Sequence, residues 1–455
     1  MSHDPQSVPT PNPAPGSGAT GQYAPHVEAR WERPVVAADG GEATLLVRVV
    51  APASDETGGD RAAPLDVAFV LDRSGSMTGG KLELAKEGVD LAAARLRDAD
   101  RVALVVYDNA VDTVHPLAAA TPRGKAALRL ALHGIDPGGS TFLSGGWVAG
   151  CQQLAEAPAD SGNGKSATRI RRAILLTDGL ANVGIVDPGE LSRHAGELRQ
   201  RGIATTTVGV GADFDEGLLS AMAEAGGGNF QYVADPSELR AFFATELQEL
   251  FSVGATGFTV SLALPAGATA ELISAFPAET SGNRVEVAIG DLPAGDTIEL
   301  VFTVKTEPGD RNQELPFAVS ACWTDPRADA RRKTAVALEP VRRVSAEELA
   351  GAARDELVAE QAALQRAAAE RRAGLELDRA GRVAESRARM AHARSLLSAA
   401  PMTDAVAYDL KVSALLADDV NPAGYDPHVR KSAQFGESQR RRGRAERRVE
   451  DTHGS

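Results

Sequence analysis

Cysteine is almost missing from this 455-residue chain: Cys151 and Cys322 are the only two, far apart in sequence. Two such residues make neither a disulfide framework nor a cysteine zinc site, and they fit a reducing compartment best. Aromatic residues are scarce at 4%, so small residues such as Ala carry much of an apolar share of 43% that still suffices for full cores. Basic residues are outnumbered, 48 against 62 acidic ones, and a formal charge of -14 argues against a protein that coats nucleic acid. The eight histidines show no metal-ligand spacing. No apolar run approaches membrane-spanning length. The start, Met1-Ser2-His3-Asp4-Pro5, has neither the basic nor the apolar part of a secretory signal. The expectation is a soluble, cytoplasmic protein of two to four domains with no membrane contact.

What the chain does have is centred on Leu65-Asp66-Val67-Ala68-Phe69-Val70-Leu71-Asp72-Arg73-Ser74-Gly75-Ser76-Met77. Val67 to Leu71 is an apolar run of the kind buried on both faces of a parallel sheet. It ends abruptly in a carboxylate, two hydroxyls and a glycine. Ligands of open α/β sheets bind just beyond the carboxyl ends of strands. Asp72, Ser74 and Ser76 therefore sit where a hard cation is held, and their oxygens suit Mg²⁺ or Mn²⁺ rather than a soft metal.

Asp72-Arg73-Ser74-Gly75-Ser76 resembles the Asp-x-Ser-x-Ser motif of von Willebrand factor A domains, which opens their metal-ion-dependent adhesion site. That resemblance implies a threonine in a Gly-rich loop and an aspartate at a later strand end. Pro137-Gly138-Gly139-Ser140-Thr141 supplies the first and Ala173-Ile174-Leu175-Leu176-Thr177-Asp178-Gly179 the second. The expected ligand set is thus Asp72, Ser74, Ser76, Thr141 and Asp178. In the family the hydroxyls contact Mg²⁺ directly and the carboxylates act largely through water or hydrogen bonds. A cation held mainly by neutral oxygens stays electrophilic and accepts an Asp or Glu from a partner protein. Arg73 is the residue expected to approach the metal and alter ligand preference. Asp108, ending the next strand on the same edge, reads as a turn aspartate, with support of the metal as the lesser alternative.

The rest of the chain divides by composition. Residues 1–26, rich in Pro, Gly, Ser and Thr, read as a disordered tail. Residues 27–56 read as N-terminal strands of a β domain, with a hairpin formed by 34–38, a turn at Asp39-Gly40-Gly41 and 43–50. Residues 64–252 alternate strands at 101–107, 170–176, 203–210 and 230–233 with helices at 81–96, 122–132, 143–154, 188–200, 215–225 and 236–250. Such alternation predicts an α/β fold, a doubly wound, mostly parallel sheet. Residues 254–340 are all β in pattern, and with the N-terminal strands they predict a β-sandwich into which the A domain is inserted. Residues 345–419 predict a helical hairpin with a shorter third helix, opened by Ser345 as N-cap with Glu348 three residues on. A single long helix is expected through Leu349, Leu357, Leu364 and Leu375. Residues 420–455, carrying Arg430, Lys431, Arg440, Arg441, Arg442, Arg444, Arg447 and Arg448, read as a basic disordered tail. With no aromatic beyond Phe435 this tail offers no stacking platform for nucleic acid.

Ala159-Asp160-Ser161-Gly162-Asn163-Gly164-Lys165-Ser166 satisfies a relaxed phosphate-loop pattern. Its context is reversed, because a helix precedes it and a strand follows, so a surface loop is the better reading. The arrangement of domains loosely resembles bacterial A-domain proteins related to inter-alpha-trypsin inhibitor heavy chains. This favours a non-enzymatic, metal-dependent protein-binding scaffold. The second reading is an accessory subunit, like those of metal chelatases, for an AAA+ ATPase encoded elsewhere. A metal-dependent hydrolase is disfavoured, since no general base is placed with a nucleophile.

Overall fold

The computed structural model describes residues 24–53, 63–157, 169–326, 328–418, 425 and 427–441. The phosphate-loop-like stretch lies outside the described residues. Three strands come first: β1 (His26–Trp31), β2 (Val35–Ala37) and β3 (Gly41–Val50). Six more, β4 (Leu65–Asp72), β5 (Arg101–Tyr107), β6 (Val111–Ala119), β7 (Ile170–Thr177), β8 (Ile203–Val210) and β9 (Gly227–Val233), form one sheet ordered β6-β5-β4-β7-β8-β9. Only β6, at an edge, runs antiparallel.

Interleaved with these strands are α1 (Lys81–Arg95), α2 (Pro122–His133), α3 (Leu143–Ala155), α4 (Pro188–Gln200), α5 (Glu216–Gly226) and α6 (Leu239–Phe251). The period-2 alternation of β4 divides them between two layers. Val67, Phe69 and Leu71 pack in one cluster with α1, α2 and α6, including Val89, Leu128 and Phe243. Ala68 and Val70 face the other, with α3, α4 and α5 through Trp147, Leu191 and Leu218. On α3, Leu143, Trp147, Cys151 and Leu154 recur at helical spacing on that buried face. The A domain is a doubly wound α/β fold, as the alternation predicts. The edge strand β6 has no counterpart in the sequence reading: Pro116 and five polar or Ala residues among nine obscure it, and an edge is where such a strand is tolerated.

After α6 the chain enters β10 (Val253–Ala263) without a loop, followed by β11 (Ala268–Leu272), β12 (Ala278–Ser281), β13 (Arg284–Pro293), β14 (Thr297–Thr306), β15 (Glu314–Leu315), β16 (Ala318–Asp325), β17 (Ala330–Val336) and β18 (Val341–Val344). Their sheets run β1-β3-β14-β11, β12-β13-β10-β16-β17 and β15-β18-β2. Strand β3 pairs with β14 over ten residues, Gly41↔Thr306 to Val50↔Thr297, so segments before and after the A domain share one sheet. Leu45, Val47 and Val49 of β3 bury against Phe258, Val260 and Leu262 of β10 and Val319 and Ala321 of β16 in a single cluster. The expected hairpin between 34–38 and 43–50 does not form. Both edges of β3 are taken, by β1 and β14, and β2 instead pairs in parallel with β18, Val35↔Arg342 to Ala37↔Val344.

Five helices close the described chain: α7 (Ala346–Gly351), α8 (Glu356–Arg379), α9 (Val383–Ser398), α10 (Asp404–Asp418) and α11 (Pro427–Arg441). Ser345 and Glu348 form the expected capping box on α7. The single long helix is corrected to two, because Asp355 caps α8 through the Val358 N–H while its own N–H donates to Glu32 O at 2.8 Å. The tail reading is also corrected for Pro427–Arg441, which is helical. Tyr425, Val429 and Ala433 join the cluster of Leu375, Met390 and Leu416, and the Phe435 ring lies edge-on to Phe230 at 6.3 Å.

Candidate metal centre

The C-terminal ends of β4 and β7 lie side by side at the middle of the A-domain sheet, and β5 flanks β4 on its other edge. This is where strand order reverses, and the crevice opens there. Asp72 ends β4 and is fully buried. Its carboxylate accepts the Ser74 N–H at 2.8 Å, closing a tight turn after the strand, and the Thr177 hydroxyl of β7 at 2.6 Å. Ser74 Oγ and Ser76 Oγ lie 3.0 Å apart, and Ser76 Oγ donates to Asp178 Oδ1 at 2.6 Å. Asp178, just past β7, is also fully buried.

Thr141 arrives from the Gly-rich loop, which is stitched to the serine loop. The Gly75 N–H donates to Gly139 O at 3.1 Å and the Gly138 N–H to Arg73 O at 2.7 Å. Asn182 fixes Thr141 from the other side, taking its N–H at 3.0 Å. The Thr141 hydroxyl has no hydrogen-bond partner among the described residues. Ser76 Oγ and Thr141 Oγ1 face one space: a Cβ placed on Gly179 would lie 3.4 Å from each. The structure therefore brings together all five residues of the motif set.

Sequence reasoning missed Lys81. Its ammonium donates to Asp178 Oδ2 at 2.5 Å. The expectation for Arg73 is corrected: its guanidinium turns away, pairing with Asp108 at 3.3 Å and Asp112 at 2.6 Å. Asp108 makes a turn, accepting the Ala110 N–H at 2.8 Å. Burial pushes the Asp72 carboxyl above its ordinary value, against the hydrogen bonds from Ser74 and Thr177, and the neighbouring Asp178 charge adds to the rise.

This donor set fits a hard divalent cation. Adjacent oxygens of an octahedron with Mg–O of about 2.1 Å stand about 3.0 Å apart, which is the Ser74–Ser76 separation. Among the described residues no cluster of three His, Cys, Asp or Glu is set to hold a metal. An open cleft of about 500 Å³ lies elsewhere, between α4, α5, residues 274–277 and α8. Its charges are already matched, Arg372 to Glu224 at 2.6 Å and to Glu376 at 3.2 Å.

The sheet order and the strand-end loops are similar to those of a von Willebrand factor type A domain. The family model of that description matches residues 66–245. The YfbK protein of Escherichia coli (strain K12) is 30% identical over 308 residues, 66% of this chain and 49% of its own length. Human inter-alpha-trypsin inhibitor heavy chain H3 is 29% identical over 161 residues, 35% of this chain and 18% of its own. This chain thus spans about half of the first relative and under a fifth of the second. A solved von Willebrand factor type A structure from Catenulispora acidiphila matches 92% of this chain and 98% of its own at a TM-score of 0.71 with 22% identity, a likeness of fold. No helix of the described residues is long and apolar enough to cross a membrane.

Proposed function

We propose that this protein is a non-enzymatic, cytoplasmic scaffold whose A domain captures a carboxylate of a partner protein through Mg²⁺ or Mn²⁺. Ser74, Ser76 and Thr141 would hold the ion, with Asp72 and Asp178 behind them. The observation that carries the reading is this convergence of three hydroxyls, one of them without a partner among the described residues, on two fully buried carboxylates. When bound, the ion supplies a Lewis-acidic position for an Asp or Glu of the partner.

The chain's own residues prepare that position. Asp72 holds the Ser74 backbone and Thr177 and has no cationic partner among the described residues, so its charge stays available. Neutral hydroxyls leave a bound ion electron-poor. The face around the site is suited to protein contact: Leu180, Val183 and Val186 stand exposed in the loop that follows Asp178. A local group of exposed large apolar side chains is a mark of interaction surfaces.

Affinity capture from the lysate of the source organism tests the proposal, using wild type and Asp72→Asn, each with Mg²⁺ or with EDTA. A partner retained only by wild type in Mg²⁺ is expected. One retained equally in all four conditions would contradict it. An ATPase among the metal-dependent partners would favour the accessory-subunit reading over a simple scaffold.

A further inference from the structure

Lys81 is a residue that local rules disfavour. It is the first residue of α1, where the helix dipole favours anions over cations, and the Gly80 cap before it offers no side-chain acceptor. The side chain runs instead across the crevice to Asp178 Oδ2 at 2.5 Å and is only 26% exposed. The other cation of the rim, Arg73, is occupied by Asp108 and Asp112.

The charges around the three hydroxyls can therefore be counted. Among the described residues two fully buried carboxylates, Asp72 and Asp178, face a single ammonium, that of Lys81, which leaves the pocket one negative charge. A divalent cation turns that into one positive charge. Asp72 and Asp178 alone would balance the ion completely, and a neutral ligand such as water would then suffice.

We propose that Lys81 sets the ligand specificity of this site: by neutralising Asp178 it leaves the loaded pocket with an unbalanced positive charge, so that the incoming ligand must be anionic. The inference rests on the reading of the pocket as a Mg²⁺ or Mn²⁺ site. The same ammonium repels the ion, so tight metal binding is exchanged for carboxylate selectivity. In the metal-free protein Lys81 is the counter-charge that keeps Asp178 tolerable in the interior.

The test uses the full chain as wild type, Lys81→Met, Lys81→Gln and Lys81→Arg. Electron paramagnetic resonance of Mn²⁺ gives metal affinity, water-proton relaxation of the Mn²⁺-loaded protein on titration with acetate gives carboxylate affinity, and thermal unfolding is followed in EDTA and in excess Mn²⁺. Removing the charge is expected to tighten Mn²⁺ binding by about tenfold and weaken acetate binding by about tenfold. Lys81→Arg should stay near wild type. In EDTA, Lys81→Met should melt below wild type, and Mn²⁺ should close that gap. Unchanged affinities for both Mn²⁺ and acetate in Lys81→Met and Lys81→Gln would overturn the inference while leaving the metal reading intact. Absence of Mn²⁺ binding by wild type would overturn both. Should Lys81→Met not fold, Lys81→Gln, which keeps a donor and loses the charge, carries the comparison alone.

Discussion

Asp66 and Asp72 are fully buried carboxylates near opposite ends of the same strand, and their surroundings differ in kind. Asp66 is gripped by Arg101 through two bonds of 2.7 Å and by Arg169 at 2.8 Å, so its charge is spent on holding the base of the sheet together. Among the described residues Asp72 receives an N–H and hydroxyls but no cation, and Asp178 a hydroxyl and one ammonium. The upper pair is thus under-compensated, which is the electrostatic condition for drawing in a cation. Gly179 tests the space itself. Gly179→Ala would place a methyl group 3.4 Å from both Ser76 Oγ and Thr141 Oγ1. We expect Mn²⁺ affinity to fall by at least about tenfold while the melting temperature moves little, since ordinary van der Waals contact is all the methyl makes. Calorimetry of Mn²⁺ binding beside thermal unfolding checks both halves. At this scale the motif was visible in the sequence, because each of its five residues lies at or just past a strand end or in a glycine loop. Lys81 was not: a lysine opening an amphipathic helix reads as solvated, and only the reach of its side chain across the crevice reveals its partner.

Helix α11 is held to the A domain by a cluster of charges. Lys431 is buried, donating to Phe214 O at 2.6 Å and to Glu216 at 2.9 Å, and its ammonium sits 4.4 Å from the Phe214 ring centre. Arg430 and Arg379 each reach the other oxygen of Glu216 at 2.7 Å. Helix α11 and the end of α8 are thereby clamped to the start of α5. Burial raises the Glu216 carboxyl, but Arg379 and Lys431 outweigh it and bring it from 4.5 down to about 2. A depressed carboxyl contributes its stability in full above the unfolded value and loses it as pH falls through the folded one. Between pH 5 and pH 3 wild type should therefore lose about 2 kcal/mol more than Glu216→Gln, at about 1.4 kcal/mol per pH unit. Urea unfolding of both proteins at the two pH values measures it, and equal losses would remove Glu216 from the clamp. The count of arginines hid this helix from the sequence, because the apolar residues that seat it, Val429, Ala433 and Phe435, are few and separated by polar or charged residues. A similar limit explains β2. Its turn chemistry is visible, but which strand it pairs with depends on β14, some 250 residues later.

In the whole molecule the A domain is joined to its neighbours by more than the two chain crossings. Helix α6 runs directly into β10. Arg199 at the end of α4 donates to Ala288 O in β13 at 2.6 Å, and Arg172 of β7 lies 3.7 Å from Asp291. Burial lowers the Arg199 guanidinium to about 10, with Asp291 opposing and Arg172 adding to the fall. Such a joint is built from charges that no sequence pattern couples, whereas the alternation of strands and helices in the A domain was plain from period and length alone. Titration of the full chain with Mn²⁺, followed by electron paramagnetic resonance and competed with Mg²⁺, tests whether the crevice holds a divalent ion. One ion per chain, displaced by Mg²⁺ and lost in Ser76→Ala and Asp178→Asn, is the predicted result. Binding that ignores both substitutions, or no binding at millimolar Mn²⁺, would contradict it.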